Sequence, residues 1–138
     1  MNEAQMQCEI VRKLRSADTP ILFTTTGAGL TDSVRHGVKM KRMGYTVGTP
    51  DLLIFEPGYD GTHGLLLELK TPTGQVSIAQ ELMHNALKSR GYAVVVVRSV
   101  AQAIAHIERH TNRKISITEH AAPPIVCPAQ PSSEKPHS

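Results

Sequence analysis

Apolar side chains recur at helical spacing in the first part of the chain. Between residues 3 and 15 they include Met6, Ile10 and Leu14, which share one face of a helix. Pro20 follows shortly, and proline ends a helix because it lacks an amide hydrogen and restricts the residue before it. The pattern therefore predicts an amphipathic helix near the N-terminus, with this face directed toward the core.

Two further helices are predicted from their first residues. Ser77 is followed three positions later by Gln80, which is the pattern of a capping box, and the helix is expected to run to Arg90. Ser99 precedes another segment of helical character, and that helix is expected to continue through about His110.

Four short segments rich in aliphatic or β-branched residues predict strands at residues 21–26, 52–55, 65–70 and 92–97. Residues 56–64 are dense in turn formers, so the second and third strands are expected to form a hairpin with a long loop. Residues 114–118 predict one more short strand. The order helix, three strands, helix, strand, helix indicates an α/β fold, with a mixed sheet flanked by helices.

The length of 138 residues suits one domain with a single core, predicted at residues 1–118. From about residue 119 to residue 138 prolines and small polar residues dominate, which predicts a flexible tail. No apolar run approaches the roughly 18 residues of a membrane helix, and the N-terminus lacks the layout of a signal peptide. The expectation is a cytoplasmic protein that does not contact the membrane.

The formal net charge of +3 is modest, but one short segment concentrates positive charge. Residues 35–42 contain no acid and carry Arg35, Lys39, Lys41 and Arg42. This segment is interpreted as a loop that holds backbone phosphates of a nucleic acid. The alternative is a solvated loop whose charge only aids solubility.

The candidate chemistry lies in the predicted hairpin. Side chains alternate along a strand, so Glu68 and Lys70 share one face, and Asp51 at the start of the neighbouring strand can lie beside Glu68. Two adjacent carboxylates repel each other, and a hard divalent cation such as Mg²⁺ would relieve that repulsion. Lys70 could then orient or help deprotonate an attacking water. The spacing favours phosphodiester hydrolysis, and the alternative is an ordinary Glu–Lys pair on a solvated sheet.

Three motifs extend this interpretation: GTPDLLI at residues 48–54, LELK at 67–70, and GQVS at 74–77 followed by Gln80. In this order they resemble the VRR-NUC branch of the PD-(D/E)xK nuclease superfamily. The likeness covers roughly residues 3–110 and is more specific than any one of the motifs. It implies a restriction-endonuclease-like fold and a DNA endonuclease dependent on Mg²⁺ or Mn²⁺.

The resemblance also implies roles for individual residues. Asp51, Glu68 and the carbonyl of Leu69 would be the metal ligands, Lys70 would be catalytic, and Gln80 would line the active centre. Stand-alone family members of this size are often phage proteins similar to Holliday-junction resolvases. The resemblance therefore also implies a homodimer that acts on branched DNA in a bacterial cell or a phage-infected host.

The first predicted helix contains two acids that could join the site. At about 100° per residue, Glu3 falls on the same stripe as Ile10 and Leu14, whereas Glu9 points away from it. The spacing of Glu9 to Lys13 suits a surface ion pair. Glu3 is therefore the acid expected to point toward the sheet, and the resemblance implies that it is a catalytic residue, as an outer ligand of the metal or of a water.

Two other functions remain open from the sequence. One is a non-catalytic nucleic-acid-binding module with the same fold. The intact acids Asp51 and Glu68 argue against it, since binding to phosphates would not need them. The other is an enzyme that acts on RNA or on a nucleotide, and a panel of substrates at a fixed metal concentration would separate these possibilities.

Overall fold

A computed structural model describes residues 1–27 and 34–116 of the chain. Within these ranges the elements, in chain order, are α1 (Glu3–Arg15), β1 (Phe23–Thr25), α2 (Val34–Arg42), β2 (Leu52–Ile54), β3 (Leu65–Leu69), α3 (Ile78–Lys88), β4 (Ala93–Val97) and α4 (Val100–Thr111). None of the helices in the described ranges is long and apolar enough to cross a membrane. The predicted tail lies outside the described residues.

The four strands form one mixed sheet in the order β1-β2-β3-β4. The pairs β1–β2 and β2–β3 are antiparallel, and β3–β4 is parallel, with α3 in the connection. The predicted hairpin and the predicted mixed α/β sheet are therefore confirmed. All five residues of β3 are buried, as expected for a strand that has neighbours on both sides and helices on both faces.

The hydrophobic core lies between one face of the sheet and the helices α1 and α4. Its fully buried members include Ile10 of α1, Ile107 of α4, and Leu65, Leu67 and Leu69 of β3. Since β3 alternates, Leu66 and Glu68 project from the opposite face, which α3 covers. Burial of each large aliphatic side chain contributes roughly 1.5–3 kcal/mol, so this core fixes the register of β3.

Side-chain caps set the starts of the predicted helices. Ser77 and Gln80 form the predicted capping box of α3, with the Gln80 amide donating to Ser77 Oγ at 3.1 Å and the Ser77 amide donating to Gln80 Oε1 at 2.9 Å. Ser99 caps α4 through Gln102, and Asn2 caps α1. The three predicted helices are confirmed, and α3 ends two residues before the predicted Arg90.

The basic segment is not a loop, and this corrects the sequence prediction. It forms α2, a helix that contains no buried residue, whereas the concentration of charge in this segment had favoured the interpretation as a loop. Its end is a Schellman motif around Gly44 at φ 108°, in which the Gly44 amide donates to Lys41 and the Tyr45 amide donates to Met40. The chain therefore has an additional helix between its first and second strands.

The strand predictions differ from the structure at the edges of the sheet. The first strand is Phe23–Thr25, shorter than the predicted residues 21–26. Residues 114–116 form no strand, although the carbonyl of Ser116 accepts a hydrogen bond from the amide of Asp18 at 2.9 Å. The other two residues of that predicted strand lie outside the described part of the chain.

Gly48 brings the segment before β2 against the start of α3. Its φ is 90°, a backbone conformation that residues other than glycine rarely adopt, and a Cβ there would collide with the carbonyl of Ala79. The backbone just before Asp51 consequently lies on the first turn of α3, which also carries Gln80. This close approach brings the segment before β2, the first turn of α3 and the end of β3 together at one end of the sheet.

Candidate active site

Asp51 and Glu68 face each other at the end of the sheet where β2 begins and β3 ends. The antiparallel register pairs Leu52 with Leu67, so the preceding residue, Asp51, lies opposite Glu68. Asp51 Oδ2 also accepts a hydrogen bond from the amide of Leu69 at 2.8 Å. This bond fixes the Asp51 carboxylate against β3, and the predicted meeting of the two acids occurs.

The Glu68 carboxylate is held through both of its oxygens. It is only 2% exposed, and Gln80 Nε2 donates to its Oε1 at 2.9 Å. His84 Nε2 lies 3.2 Å from its Oε2. Gln80 and His84 are four residues apart, so they project from the same side of α3 onto Glu68. The orientation of this buried carboxylate is therefore defined by the helix above it.

The surroundings of Glu68 disfavour its charged form. Burial raises the pKa of Glu68 most, and the charge of Asp51 and a hydrogen bond with Asp51 raise it further, to about 8. The charge of Lys70 acts in the opposite direction, and the charge of Glu3 adds to the increase. Without a cation, the two carboxylates cannot both remain charged at neutral pH without a cost in free energy.

His84 is a site residue that the sequence analysis missed. Its side chain is buried, and burial followed by the charge of Lys88 lowers its pKa, so the ring is neutral near pH 7. A neutral ring protonated on Nε2 can donate to the Glu68 carboxylate. The available signal was its position four residues after Gln80, which becomes informative only when α3 is placed above Glu68.

Tyr45 was also missed as a member of the site. Burial raises the pKa of its hydroxyl, and the charges of Asp51 and Glu68 raise it further. Its phenol therefore lies within the electrostatic field of the two acids. It immediately follows the turn that ends α2, so the basic helix and the acidic pair adjoin each other. The available signal was that residues 41–45 extend the resemblance to the VRR-NUC branch, which by itself assigned Tyr45 no role.

Gln80 serves two structural functions at once. Its side-chain oxygen accepts the Ser77 amide in the capping box, while its side-chain nitrogen donates to Glu68. The amide group is thus held at both ends, and it joins the start of α3 to the site. Lys70 follows β3 directly, and its backbone amide donates to the carbonyl of Val97 at 3.0 Å. Its charge acts on Glu68, as described above.

The two acids of α1 have different surroundings. Glu3 is exposed in the first turn, and its charge contributes to the raised pKa of Glu68, which places it near the site. Glu9 forms a bidentate ion pair with Arg12, with contacts of 2.6 and 3.1 Å. The direct partner is therefore Arg12 and not the expected Lys13, although the charge of Lys13 also lowers the pKa of Glu9. Glu9 remains a surface residue, as predicted.

The basic residues of α2 do not form one group. At about 100° per residue, Arg35, Lys39 and Arg42 fall within a stripe about 60° wide, and they line one shallow groove with Val38. Lys41 lies about 100° or more from each member of that stripe. We call Arg35, Lys39 and Arg42 the basic stripe. All three are exposed.

The donor atoms of the acidic pair fit a hard divalent cation. Asp51 and Glu68 supply carboxylate oxygens, and their mutual repulsion is the feature that a cation would relieve. Among the described residues, no three His, Cys, Asp or Glu side chains form a group that could hold a metal ion. Two carboxylates and a backbone carbonyl match Mg²⁺ or Mn²⁺, which keep water and substrate oxygens among their ligands.

Comparisons with known proteins identify the family and the fold of this chain. The family model of the VRR-NUC domain matches residues 2–101. A solved structure described as a VRR_NUC domain protein is similar to this chain with a TM-score of 0.68 and 23% sequence identity, over 86% of this chain and 98% of that one. No curated protein matches. The family match covers α1, the whole sheet and α3, with every residue of the acidic site, and on this basis the chain belongs to the VRR-NUC family.

Proposed function

We propose that this chain is a DNA endonuclease that depends on Mg²⁺ or Mn²⁺, with the cation held by Asp51, Glu68 and the carbonyl of Leu69. VRR-NUC domains are generally nucleases. The observation that carries the proposed metal dependence is the burial of Glu68 directly opposite Asp51, with its pKa raised to about 8. Ionising a buried carboxyl group beside a second acid costs free energy, which a bound cation would offset. The arrangement therefore suits a cation site better than a solvated surface.

Each residue of the site has a task in the proposed hydrolysis. A bound cation would neutralise charge on the phosphate and lower the pKa of a water. Gln80 and His84 hold the two oxygens of Glu68 in one orientation. Lys70 orients the attacking water and offsets negative charge that develops on the scissile phosphate. Glu3 contributes as an outer ligand at the exposed side of the site.

The proposed substrate is DNA, approached through the basic stripe. Contacts of arginine and lysine with phosphates position a duplex without reading its sequence. The resemblance to resolvase-like members of the PD-(D/E)xK superfamily supports branched DNA as the preferred form and a homodimer as the active species. The alternative, a non-catalytic binding module, is distinguished by the cleavage experiments below.

The first prediction concerns stability and pH in the absence of divalent metal. Glu68 binds its proton more tightly in the folded chain, with a pKa of about 8 against 4.5 for the ordinary group, so unfolding releases a proton between these values. Stability should therefore fall as pH rises from about 4.5 to about 8. Thermal melts of wild type and Glu68→Gln should show that the substitution reduces this slope.

Metal addition extends the same experiment. At pH 8, Mn²⁺ should raise the melting temperature of wild type and have little effect on Glu68→Gln. Glu9→Gln is the matched control. Arg12 lowers the pKa of Glu9, so this carboxylate stays ionised between pH 4.5 and 8, and its removal should leave the slope of stability against pH unchanged. A Glu68→Gln slope equal to that of wild type would contradict the electrostatic account of the site.

The second prediction separates cleavage from binding. Asp51→Asn and Glu68→Gln should each abolish cleavage of labelled branched and linear duplexes in Mg²⁺, because each removes a charged ligand. Both should still bind DNA in Ca²⁺, whose looser coordination supports binding without cleavage. Full cleavage by either variant would overturn the site, and wild type that binds but never cuts would favour the non-catalytic module.

The third prediction compares the two acids of α1. Glu3→Gln should lower the cleavage rate at least about tenfold, a loss of roughly 1.4 kcal/mol of transition-state stabilisation. Glu9→Gln removes the same charge from the same helix but only breaks the ion pair with Arg12, so its rate should stay near that of wild type. The reverse result would make Glu9 the ligand and contradict the placement of α1.

The fourth prediction tests the basic stripe. Lys39→Ala should weaken DNA binding in Ca²⁺ and reduce the slope of log affinity against log salt by up to about one unit. Lys41→Ala removes an equal charge two residues further along α2, on another face, and it should change the slope much less. Equal losses in the two variants would show that net charge, rather than the stripe, governs binding.

A further inference from the structure

Arg98 lies where the two parallel strands end side by side. It directly follows Val97, the last residue of β4, and the carbonyl of Val97 accepts the backbone amide of Lys70. Its own amide donates to the side-chain oxygen of Gln102 in the first turn of α4 at 2.8 Å. The backbone of Arg98 is thus anchored beside Lys70.

The guanidinium of Arg98 donates hydrogen bonds to the turn that follows Lys70. Its Nη1 donates to the carbonyl oxygens of Thr71 at 2.7 Å and of Gly74 at 2.8 Å, with that of Pro72 at 3.4 Å. Three carbonyl dipoles that converge on one point repel one another unless a cation lies there. The charge of Arg98 therefore holds residues 71–74 in this conformation, together with the bond from the Gly74 amide to the Thr71 carbonyl.

This turn lies against the side chain of Lys70. A Cβ added at Gly74 would be 3.5 Å from Lys70 Cδ, which is van der Waals distance. The backbone at Gly74 is therefore a near neighbour of the aliphatic stem of Lys70, with room for about one carbon between them. The turn also leads into Ser77 and α3, whose Gln80 holds Glu68. Displacement of the turn would therefore disturb the positions of both Lys70 and the Glu68 carboxylate.

We propose that Arg98 is a positioning residue for Lys70, acting through the turn at residues 71–74 that its Nη1 holds beneath the lysine stem. The proposal rests on the proposed nuclease function, in which Lys70 acts at the scissile phosphate. Arg98 itself binds backbone carbonyls and contacts no reacting atom. Its loss should consequently slow the chemical step while the affinity for DNA, set by the basic stripe, stays nearly unchanged.

The test is a double-mutant cycle on single-turnover cleavage at saturating DNA. Arg98→Met should lower the rate at least about tenfold, with the Kd for DNA in Ca²⁺ within about twofold of wild type. Arg98→Lys should recover part of the rate, since Nη1 donates all the side-chain hydrogen bonds of Arg98 to residues that the structure describes. In a Lys70→Met background, Arg98→Met should cause little further loss, because the residue through which it acts is gone.

Arg90→Met is the matched control. The guanidinium of Arg90 also donates to a backbone carbonyl, that of Ala86 at 2.8 Å, but it does so within the last turns of α3 and away from residues 71–74. Its rate should match that of wild type. Independent, multiplicative effects of Arg98→Met and Lys70→Met would overturn the proposal, and so would an equal loss in Arg90→Met.

A second measurement does not depend on cleavage. In metal-free protein, NMR signals of the Lys70 side chain and hydrogen exchange at the Gly74 amide should change in Arg98→Met and not in Arg90→Met. Unchanged Lys70 signals would overturn the proposal. This holds even if Lys70→Met leaves no measurable cleavage rate, so that the double-mutant cycle cannot be completed. If wild type cleaves no DNA, the nuclease proposal fails, while these signals still decide whether Arg98 positions Lys70.

Discussion

The constraint on which this fold depends is one carboxylate, Glu68, buried in the centre of a sheet beside a second acid. A buried carboxyl group without polar partners is costly in free energy, so neighbouring elements must supply hydrogen bonds to it. The register of the hairpin sets Asp51 opposite, α3 brings Gln80 and His84 onto the two oxygens, and Gly48 lets the chain approach α3 closely enough. The site and the fold are therefore stabilised by the same contacts.

The two faces of β3 divide these tasks. Leu65, Leu67 and Leu69 fill the aliphatic core under α1 and α4, and the alternate position places Glu68 under α3. A slip of one residue would direct Glu68 into that core and expose three leucines to the polar face. The core thus fixes the register of β3, and the register sets the geometry of the acidic pair. Leu69 joins the two directly, since its side chain lies in the core while its amide donates to Asp51.

Sequence reasoning succeeded where local patterns and burial agreed. Helices α1, α3 and α4 carry caps and apolar faces, and the hairpin carries turn residues between aliphatic runs, so these elements could be predicted. Helix α2 buries nothing, and the concentration of charge in its sequence favoured a loop instead. His84 and Tyr45 escaped because their relation to Glu68 depends on how α3 and the segment after α2 pack, which spacing along the chain does not specify.

Helix α2, which buries no side chain, is also the helix that carries the basic stripe. A nine-residue helix without buried side chains gains little from tertiary packing, and helices this short are marginal in isolation. Arg35 and Lys39, four residues apart, add like-charge repulsion to that cost. Under the proposed function, DNA phosphates would offset this repulsion and stabilise α2 when substrate binds. Since Tyr45 directly follows the turn that ends α2 and lies in the field of Asp51 and Glu68, substrate docking and the acidic site would then be ordered together.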